Sequence, residues 1–396
     1  MTTLFLNDSL TLSFPSSHDF FDQVEFTNSA FSFSATLTVS GREFDDVLFA
    51  SDLTMTGSDG VNRLSIYGAS QLSLAGWTIS SWSSDDYILI GGTTFADFIK
   101  GSDLADVIVG DSGNNTLVGG GGNDYLGGGI DDDKMHGGGG DDVMDANWGN
   151  NVVHGGAGND SLSGGQGHRI SVLTRDRFFG AAGEDTIVAG LNHDKAYGGS
   201  GADVLGEMST ASGNRLYGNA GDDQLFGRAE HHGLYGGAGA DVITATLGAR
   251  CQSYGGNGND TVISESGSDR LFGGNGDDMI VAGTFGNLIY GGRGTDQMTG
   301  GDGSDHFVLT NVRDSAVGVD HDVISGFVTG QDRIDLKAIA SGQLFIDEAA
   351  FGSIAGQVRF DAASHLLQGN VNGDGIADYE IVLDQLGALA GSDLIL

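Results

Sequence analysis

A nine-residue repeat of glycine and aspartate constrains this chain more than any other feature of its sequence. The hexad Gly-Gly-x-Gly-x-Asp occurs intact nine times, and degenerate copies begin at Gly101, Gly110, Gly128, Gly180 and Gly218. The intact copies begin at Gly119, Gly137, Gly155, Gly198, Gly236, Gly255, Gly273, Gly291 and Gly300. Self-similarity at a fixed short period indicates a stack of coils in which each repeat packs on its neighbours.

The residue types within the repeat predict its local structure. Glycines turn the chain through positive φ without a Cβ clash and expose backbone carbonyls. Three residues follow each Asp, and the middle one is usually apolar, as in Leu126, Met144 and Leu162. Three residues suffice for a very short strand whose central side chain points inward. Two nine-residue units then form one coil, and successive coils stack about 4.8 Å apart.

The aspartates of the repeat predict a row of calcium sites. Carboxylate oxygen is a hard ligand that Ca²⁺ prefers, and the glycine turns bring carbonyl oxygens close to it. Strong hexads fall mostly two repeat units apart, which places them on one edge of the stack. The opposite edge has lost many aspartates, as around Asn115, Asn151 and His232, and is predicted to be calcium-poor. The candidate ligands are the hexad aspartates with the first and third residues of the intact hexads: Asp106, Gly119, Gly121, Asp124, Gly137, Gly139, Asp142, Gly155, Ala157, Asp160, Asp185, Gly198, Ser200, Asp203, Asp223, Gly236, Ala238, Asp241, Gly255, Asn257, Asp260, Gly273, Asn275, Asp278, Gly291, Arg293, Asp296 and Asp305.

These repeats resemble the RTX family of hemolysin-type calcium-binding proteins across roughly residues 92–308. The tail is similar to the C-terminal region of secreted serralysin-type proteins over Gly303–Val308, Asp322–Phe327, Gly330–Leu336 and Asn372–Tyr379. The resemblance implies an all-β, right-handed parallel β-roll with Ca²⁺ between coils, on the order of ten ions. It also implies export by a type I secretion transporter.

The sequence suggests three domains: an N-terminal β unit at 1–90, the calcium-binding roll at 91–308, and a β-rich C-terminal cap with a secretion signal at 309–396. The N-terminal unit is inferred from the period-two alternation of Phe31–Val39 and from the run Leu72-Ser73-Leu74. The chain ends in Asp393-Leu394-Ile395-Leu396 and has no lysine or arginine after Arg359. That ending resembles an uncleaved type I signal, although a plain terminal strand would look the same.

The composition limits the classes of partner that the chain is expected to bind. The chain carries 54 acidic and 17 basic residues, for a net charge of −37. Such a chain is expected to bind cations and to avoid nucleic acid and anionic lipid. Its single cysteine, Cys251, permits no internal disulfide, and neither a signal-peptide pattern at the N-terminus nor a membrane span is recognisable.

No motif predicts an enzyme. The chain lacks the His-Glu-x-x-His of zinc proteases and the Gly-x-Ser-x-Gly of lipases, so no catalytic or organic-cofactor site is predicted. The expected function is extracellular, secreted or surface-associated calcium binding with a structural role in a surface layer, a matrix or adhesion. The alternative is an effector or enzyme whose activity resides in residues 1–90.

Four features of the sequence each have two possible interpretations. The hexads at Gly155 and Gly180 lie further apart than one coil requires, which predicts an arginine-rich bulge near His168–Phe179 that is a surface loop or a partner contact. Asp374 and Asp378 lie in a calcium loop or a hairpin turn. His231 and His232 are expected in an exposed loop rather than at a transition metal. A final column holds His136, His154, Tyr197, Tyr217, Tyr235, Tyr254, Phe272 and Tyr290, which either stack on one another or form a glycan-binding or self-assembly surface.

Overall fold

The computed structural model of the chain is all-β. It describes the backbone of eight strands within residues 1–86, and residues 87–396 apart from 166–174, 191–192, 208–212, 229–231, 247–249 and 340–341. The described residues contain no α-helix, and one 3-10 helix spans Gly391–Asp393. The strands form a parallel solenoid of about 11 turns, which confirms the predicted β-roll. The chain divides into two compact units, Met1–Gly199 and Ser200–Leu396.

The first unit consists of short strands in parallel ladders. Its strands are β1 (Thr3–Leu6), β2 (Ser9–Ser13), β3 (Gln23–Phe26), β4 (Ala35–Ser40), β5 (Thr54–Thr56), β6 (Asn62–Tyr67), β7 (Gln71–Ser73), β8 (Thr78–Ser80), β9 (Tyr87–Gly91), β10 (Phe98–Lys100), β11 (Asp106–Val109), β12 (Thr116–Gly121), β13 (Tyr125–Gly127), β14 (Lys134–Gly139), β15 (Val143–Asp145), β16 (Val152–Ala157), β17 (Ser161–Ser163), β18 (Arg177–Ala182), β19 (Thr186–Ala189) and β20 (Lys195–Ser200).

These strands alternate between two sheets of the roll. One ladder runs β7-β10-β12-β14-β16-β18-β20 and the other β2-β4-β6-β9-β11-β13-β15-β17-β19, while β1-β3-β5-β8 form a third sheet. The register is one coil, so that Thr116 pairs with Lys134 and Lys134 with Val152. The ladder β4-β6-β9-β11 crosses residue 90 without interruption. Strand pairing therefore marks no boundary there, and a separate N-terminal domain stays a prediction.

The sequence predictions for this unit hold in part. The alternating stretch at 31–39 contains β4, although residues 31–34 lie outside the described ones. The bulge predicted at 168–179 is wrong at its C-terminal end, because Arg177–Ala182 is strand β18 and Phe178 is fully buried. Val152 pairs with Arg177, and the ladder partners here are separated by 25 residues instead of the 18 of the preceding coil, so the insertion lies between Ser163 and Asp176 and leaves both ladders in register. Residues 166–174, including Arg169, lie outside the described residues.

The second unit continues the same strand pattern and then changes it. Its strands are β21 (Val204–Glu207), β22 (Arg215–Ala220), β23 (Gln224–Gly227), β24 (Gly233–Ala238), β25 (Val242–Ala245), β26 (Gln252–Asn257), β27 (Thr261–Ser264), β28 (Arg270–Asn275), β29 (Met279–Val281), β30 (Leu288–Arg293), β31 (Gln297–Thr299), β32 (His306–Val308), β33 (Asp322–Ser325), β34 (Arg333–Asp335), β35 (Leu344–Phe345), β36 (Gln357–Asp361), β37 (Leu366–Asn370), β38 (Tyr379–Leu383) and β39 (Leu394–Ile395).

A C-terminal cap closes the second unit. Strands β36, β37 and β38 are antiparallel to one another, and β38 pairs in parallel with β33. The final strand β39 pairs with β34, so the chain terminus extends the other ladder. Residues 371–378, including Asp374 and Asp378, connect β37 to β38, which makes this segment a hairpin loop. Whether that loop also binds calcium stays a prediction.

The core is narrow because each short strand contributes one central side chain. The fully buried residues on the strands of the first unit include Ile99, Leu117, Met135, Val153 and Phe178 in one sheet and Ile108, Leu126, Met144, Leu162 and Ile187 in the other. In the second unit, the same row merges with the larger apolar side chains of the cap, among them Phe307, Phe360 and Tyr379. Inward orientation of the middle residue after each Asp, as predicted, is thereby confirmed.

Glycines in the turns are required by both conformation and space. Gly138 has a φ of +125°, and a Cβ there would lie 2.1 Å from the carbonyl oxygen of Gly120 in the preceding coil. Its neighbour Gly139 has no atom within 4 Å of the equivalent position.

We therefore expect Gly138→Ala to destabilise the roll by about 2 kcal/mol or more, through left-handed strain and the clash with Gly120. The matched control Gly139→Ala should stay within about 0.5 kcal/mol of the parent. Urea unfolding in saturating calcium measures both. Equal effects of the two substitutions would contradict this account of the turn.

Candidate metal centre

A ladder of buried aspartates runs along one edge of the coils in each unit. Its members are Asp106, Asp124, Asp142, Asp160 and Asp185 in the first unit, and Asp203, Asp223, Asp241, Asp260, Asp278, Asp296 and Asp322 in the second. Within a ladder, one carboxylate oxygen accepts the backbone N–H of the aspartate one coil earlier. Asp106 N donates to Asp124 Oδ1 at 2.8 Å, and Asp124 N donates to Asp142 Oδ1 at 2.9 Å. The ladder thus fixes the register of successive coils.

The second carboxylate oxygen points into the turn of its own coil. A Cβ on Gly119 would lie 2.1 Å from Asp124 Oδ2, and one on Gly137 would lie 2.1 Å from Asp142 Oδ2. The first hexad position must therefore be glycine, because the carboxylate occupies the space. The Oδ2 atom is buried and has no hydrogen-bond partner in Asp124, Asp142, Asp160, Asp223, Asp241, Asp260, Asp278 and Asp296.

Burial changes the proton affinity of the ladder. Desolvation is the main reason that the pKa of Asp124 and Asp278 is raised to about 8, and repulsion from neighbouring aspartates of the ladder contributes to the same shift. The pKa of Asp106, Asp160 and Asp223 is raised to about 7 for the same principal reason. In the absence of a cation, these carboxylates therefore hold a proton more readily near neutral pH than a free aspartate does.

This arrangement fits calcium. Buried carboxylates such as those of Asp124, Asp142 and Asp278, each with one oxygen bonded and one without a partner, need a cation to remain ionised. Among the described residues, no group of three or more His, Cys, Asp or Glu side chains is arranged to hold a metal ion. Backbone carbonyls would therefore have to supply many of the ligands, which suits a hard ion that takes six to eight oxygens. When bound, Ca²⁺ would neutralise the carboxylates and join adjacent turns.

The structure separates the predicted ligands into two groups. First-position residues, such as Gly119 and Gly255, are buried against the aspartate of their own hexad. Third-position residues are half-buried or exposed at the rim of the turn; they are Gly121, Gly139, Ala157, Ser200, Ala238, Asn257, Asn275 and Arg293. The assignment of individual ligands stays a prediction.

A second ladder, on the opposite edge, was only partly recognised from the sequence. Its buried members include Asp97, Asn115, Asp133, Asn151, Asp176 and Asp194 in the first unit and Asp269, Asn287, Asp305 and Asp332 in the second. Asn115 N donates to Asp133 Oδ1 and Asp133 N donates to Asn151 Oδ1, each at 2.8 Å. Asp305 belongs to this ladder, since Asn287 N donates to its Oδ1 at 2.8 Å. An Asp or Asn directly before a triplet with an apolar central residue would have identified the members of this ladder. The complete hexad excluded most of them, because their turns lack some of its glycines.

The second ladder changes character at His232. Its ring is 2% exposed, and its Nδ1 lies 2.8 Å from Glu207 Oε1. The prediction of an exposed loop is therefore wrong for His232, because a glutamate in place of the usual glycine gives the ring a buried partner. His231 lies outside the described residues.

Comparison with known protein families agrees with this geometry. The family model of the peptidase M10 serralysin C-terminal region matches residues 84–396. The chain belongs to this family, and the matched region is the non-catalytic RTX-repeat part of serralysins, not the protease domain. No curated protein matches the chain. None of the described helices is long and apolar enough to span a membrane.

The adjacent residues Asp141 and Asp142 allow a matched test of the ladder. Asp142 is buried with a free Oδ2, whereas Asp141 is exposed. Oδ1 of Asp142 accepts Asp124 N and Oδ1 of Asp141 accepts Asn159 N, and an asparagine at either position keeps that acceptor. We expect Asp142→Asn to lower calcium-dependent stability by about 1.4–2.7 kcal/mol at calcium 10 to 100 times Kd, the contribution of one site. Asp141→Asn should leave it unchanged. Calcium titrations followed by circular dichroism compare the two, and equal losses would contradict the assignment.

The raised pKa values predict a pH dependence without calcium. The unfolded pKa of Asp is about 3.9, while that of Asp160 in the fold is about 7. The fold therefore binds more protons than the unfolded chain between these values, and its stability falls as pH rises from about 4 to about 7. In calcium-depleted buffer, we expect sheet content by circular dichroism to rise as pH is lowered from 8 to 5. Sheet content independent of pH would contradict this.

Proposed function

We propose that this protein is a secreted calcium-binding RTX protein with an extracellular structural role, in a surface layer, a matrix or adhesion. The observation that carries the proposal is the ladder of buried aspartates in each unit, many of which have an unsatisfied carboxylate oxygen. Such a ladder suits a chain that stays unfolded where calcium is scarce and folds where it is abundant. The structural role rests on the length of the roll and on the absence of any catalytic motif recognised in the sequence.

Energetics support folding on calcium binding. Extracellular calcium modules have Kd values of roughly 10⁻⁴–10⁻³ M. At 10 to 100 times Kd, each site contributes about 1.4–2.7 kcal/mol, so about ten sites supply well over 10 kcal/mol. Most domains have a stability of about 5–15 kcal/mol, so the calcium sites together contribute as much free energy as a typical domain has in total. Without the ions, repulsion between stacked carboxylates and the entropy of the glycine turns oppose folding.

The C-terminus supports export of an unfolded chain. In the folded protein, Asp393 is fully buried and accepts the backbone N–H of Gly330 at 2.9 Å and that of Ala390 at 3.0 Å. Leu394 is 7% exposed within β39. A transporter that reads these residues must therefore do so before the cap folds. We expect a type I transporter as export partner, and a cell-surface glycan or further copies of the protein as structural partners.

Deletion of residues 347–396 tests this export route. We expect the truncated protein to remain in the cells, because the signal is missing, while the same C-terminal segment grafted onto a slow-folding passenger confers export through a matched transporter. The amounts in cells and medium are measured by immunoblotting. Normal export of the truncated protein would exclude the type I route. Circular dichroism of the intact protein, with and without EGTA, tests calcium-dependent folding separately.

A further inference from the structure

One outer face of the roll in the first unit carries an unusual charge pattern. It consists of the outward side chains of β10, β12, β14, β16, β18 and β20, which alternate with fully buried ones. We call it the basic face, and its residues are Phe98, Lys100, Thr116, Val118, Lys134, His136, Val152, His154, Arg177, Phe179, Lys195 and Tyr197. Four of the chain's 17 basic residues lie among these twelve positions, and no acidic residue does.

The opposite sheet of the same unit shows that this pattern is not a general property of the roll. The outward residues of β11, β13, β15, β17 and β19 are Val107, Val109, Tyr125, Gly127, Val143, Asp145, Ser161, Ser163, Thr186 and Val188. They include no cation. In a chain with 54 acidic and 17 basic residues, the basic face thus inverts the local balance of charge.

The cations of this face have no acidic partner within the part of the chain that the structure describes. Neither ion pair of the described residues involves Lys134, Arg177 or Lys195. Lys134 and Arg177 occupy one outward column, with Val152 between them, and Lys195 lies on the next strand. Coil spacing places these positions about 5 and 10 Å apart along the solenoid axis. The chain therefore presents several charges at whole-coil separations to an anion from outside.

The aromatic column beside the cations has little free ring surface. His136 stacks on His154 at 4.8 Å, His154 on Phe179 at 4.5 Å, and Phe179 on Tyr197 at 5.0 Å, with ring planes within 6° of parallel. Each inner ring has a neighbour on both faces and turns its edge outward. This confirms the self-stacking predicted from the sequence and adds Phe179, which the sequence reading placed in the bulge. A ligand on this face meets ring edges and polar groups instead of stacking platforms.

We propose that the basic face of the first unit binds an acidic polysaccharide that lies along the solenoid axis. This inference rests on the extracellular location in the proposed function and names the partner class. Spaced cations suit a linear polymer with one charge per sugar or per few sugars, and imidazole and hydroxyl edges suit its hydroxyl groups. Single-stranded nucleic acid is disfavoured because its bases need free aromatic faces. A membrane is disfavoured because no amphipathic apolar segment lies beside the cations.

The net charge of −37 repels a polyanion less strongly from the folded, calcium-loaded protein than the number alone suggests. Many of the 54 acidic residues are the buried aspartates of the ladders. Bound calcium would neutralise them, and salt screens the remaining charges beyond a Debye length of about 8 Å at physiological ionic strength. Binding is therefore expected from the calcium-loaded protein.

The test uses the full-length protein in millimolar calcium, with dextran sulfate as the probe and uncharged dextran as its matched polymer control. The variant K134Q/R177Q/K195Q removes three charges of the face. The control R228Q/R313Q/K337Q removes three exposed charges elsewhere. Calcium-induced circular dichroism first verifies that both variants fold. Affinity electrophoresis then gives the affinity of each protein over a series of salt concentrations.

We expect the wild type to bind dextran sulfate and not dextran. The face variant should lose at least about tenfold in affinity and show a shallower salt dependence, because fewer counterions are released on binding. The control should retain both. The proposal is overturned if the wild type does not bind, if both variants lose affinity equally, or if dextran binds as well. It is also overturned if these three cations mediate binding to single-stranded DNA, to anionic vesicles or to a second copy instead.

These outcomes are independent of the proposed function. Failure to bind dextran sulfate by a protein that folds with calcium and reaches the medium removes only the polysaccharide site. Failure of calcium-dependent folding or export removes the proposed function, whatever the polymer result.

Discussion

The structure depends on the two oxygens of one buried carboxylate. After Asp106, Oδ1 of a ladder aspartate accepts the N–H of the preceding coil, as between Asp124 and Asp142, and thereby sets the register. Oδ2 lies against the first glycine of its own hexad and has no protein partner in most coils. The first oxygen holds adjacent coils together, and the second leaves a buried charge that the protein alone does not balance. Folding and cation binding are consequently one process here.

Both edges join successive coils by a ladder of side-chain to backbone hydrogen bonds, but the side chains differ. On the first edge, every ladder position is Asp, whereas Asn115, Asn151 and Asn287 interrupt the second. An asparagine keeps the Oδ1 acceptor but carries no charge, so it maintains the hydrogen-bond ladder without requiring a cation. The first edge therefore carries a carboxylate at every described ladder position, and the second carries one at only some of them. At His232, the second edge has neither Asp nor Asn and instead buries a histidine beside Glu207.

Sequence periodicity predicted those parts of the protein that repeat. Inward side chains such as Leu126 and Met144 and the ladder aspartates follow from the local pattern of a single coil, because each coil meets only its neighbours. Prediction was poorer wherever the period changes. Phe179 was assigned to a bulge because the repeat was taken to restart at Gly180, after the strand had already begun. Asp322 was not recognised as a ladder member because it lies further from Asp296 than one regular coil. The antiparallel cap, β36 to β38, has no repeat from which to infer its pairing.

The insertion between Ser163 and Asp176 has a consequence for how such a chain can change. Asn151 N still donates to Asp176 Oδ1 at 2.7 Å, and Asp160 N to Asp185 Oδ1 at 2.8 Å, although the chain between the partners is longer than in a regular coil. The additional residues therefore enter one coil while both of its neighbours keep their bonds. Loop closure costs rise only slowly with length. We expect this position to accept a foreign peptide, because the hydrogen bonds of both ladders already close around a segment longer than a regular coil.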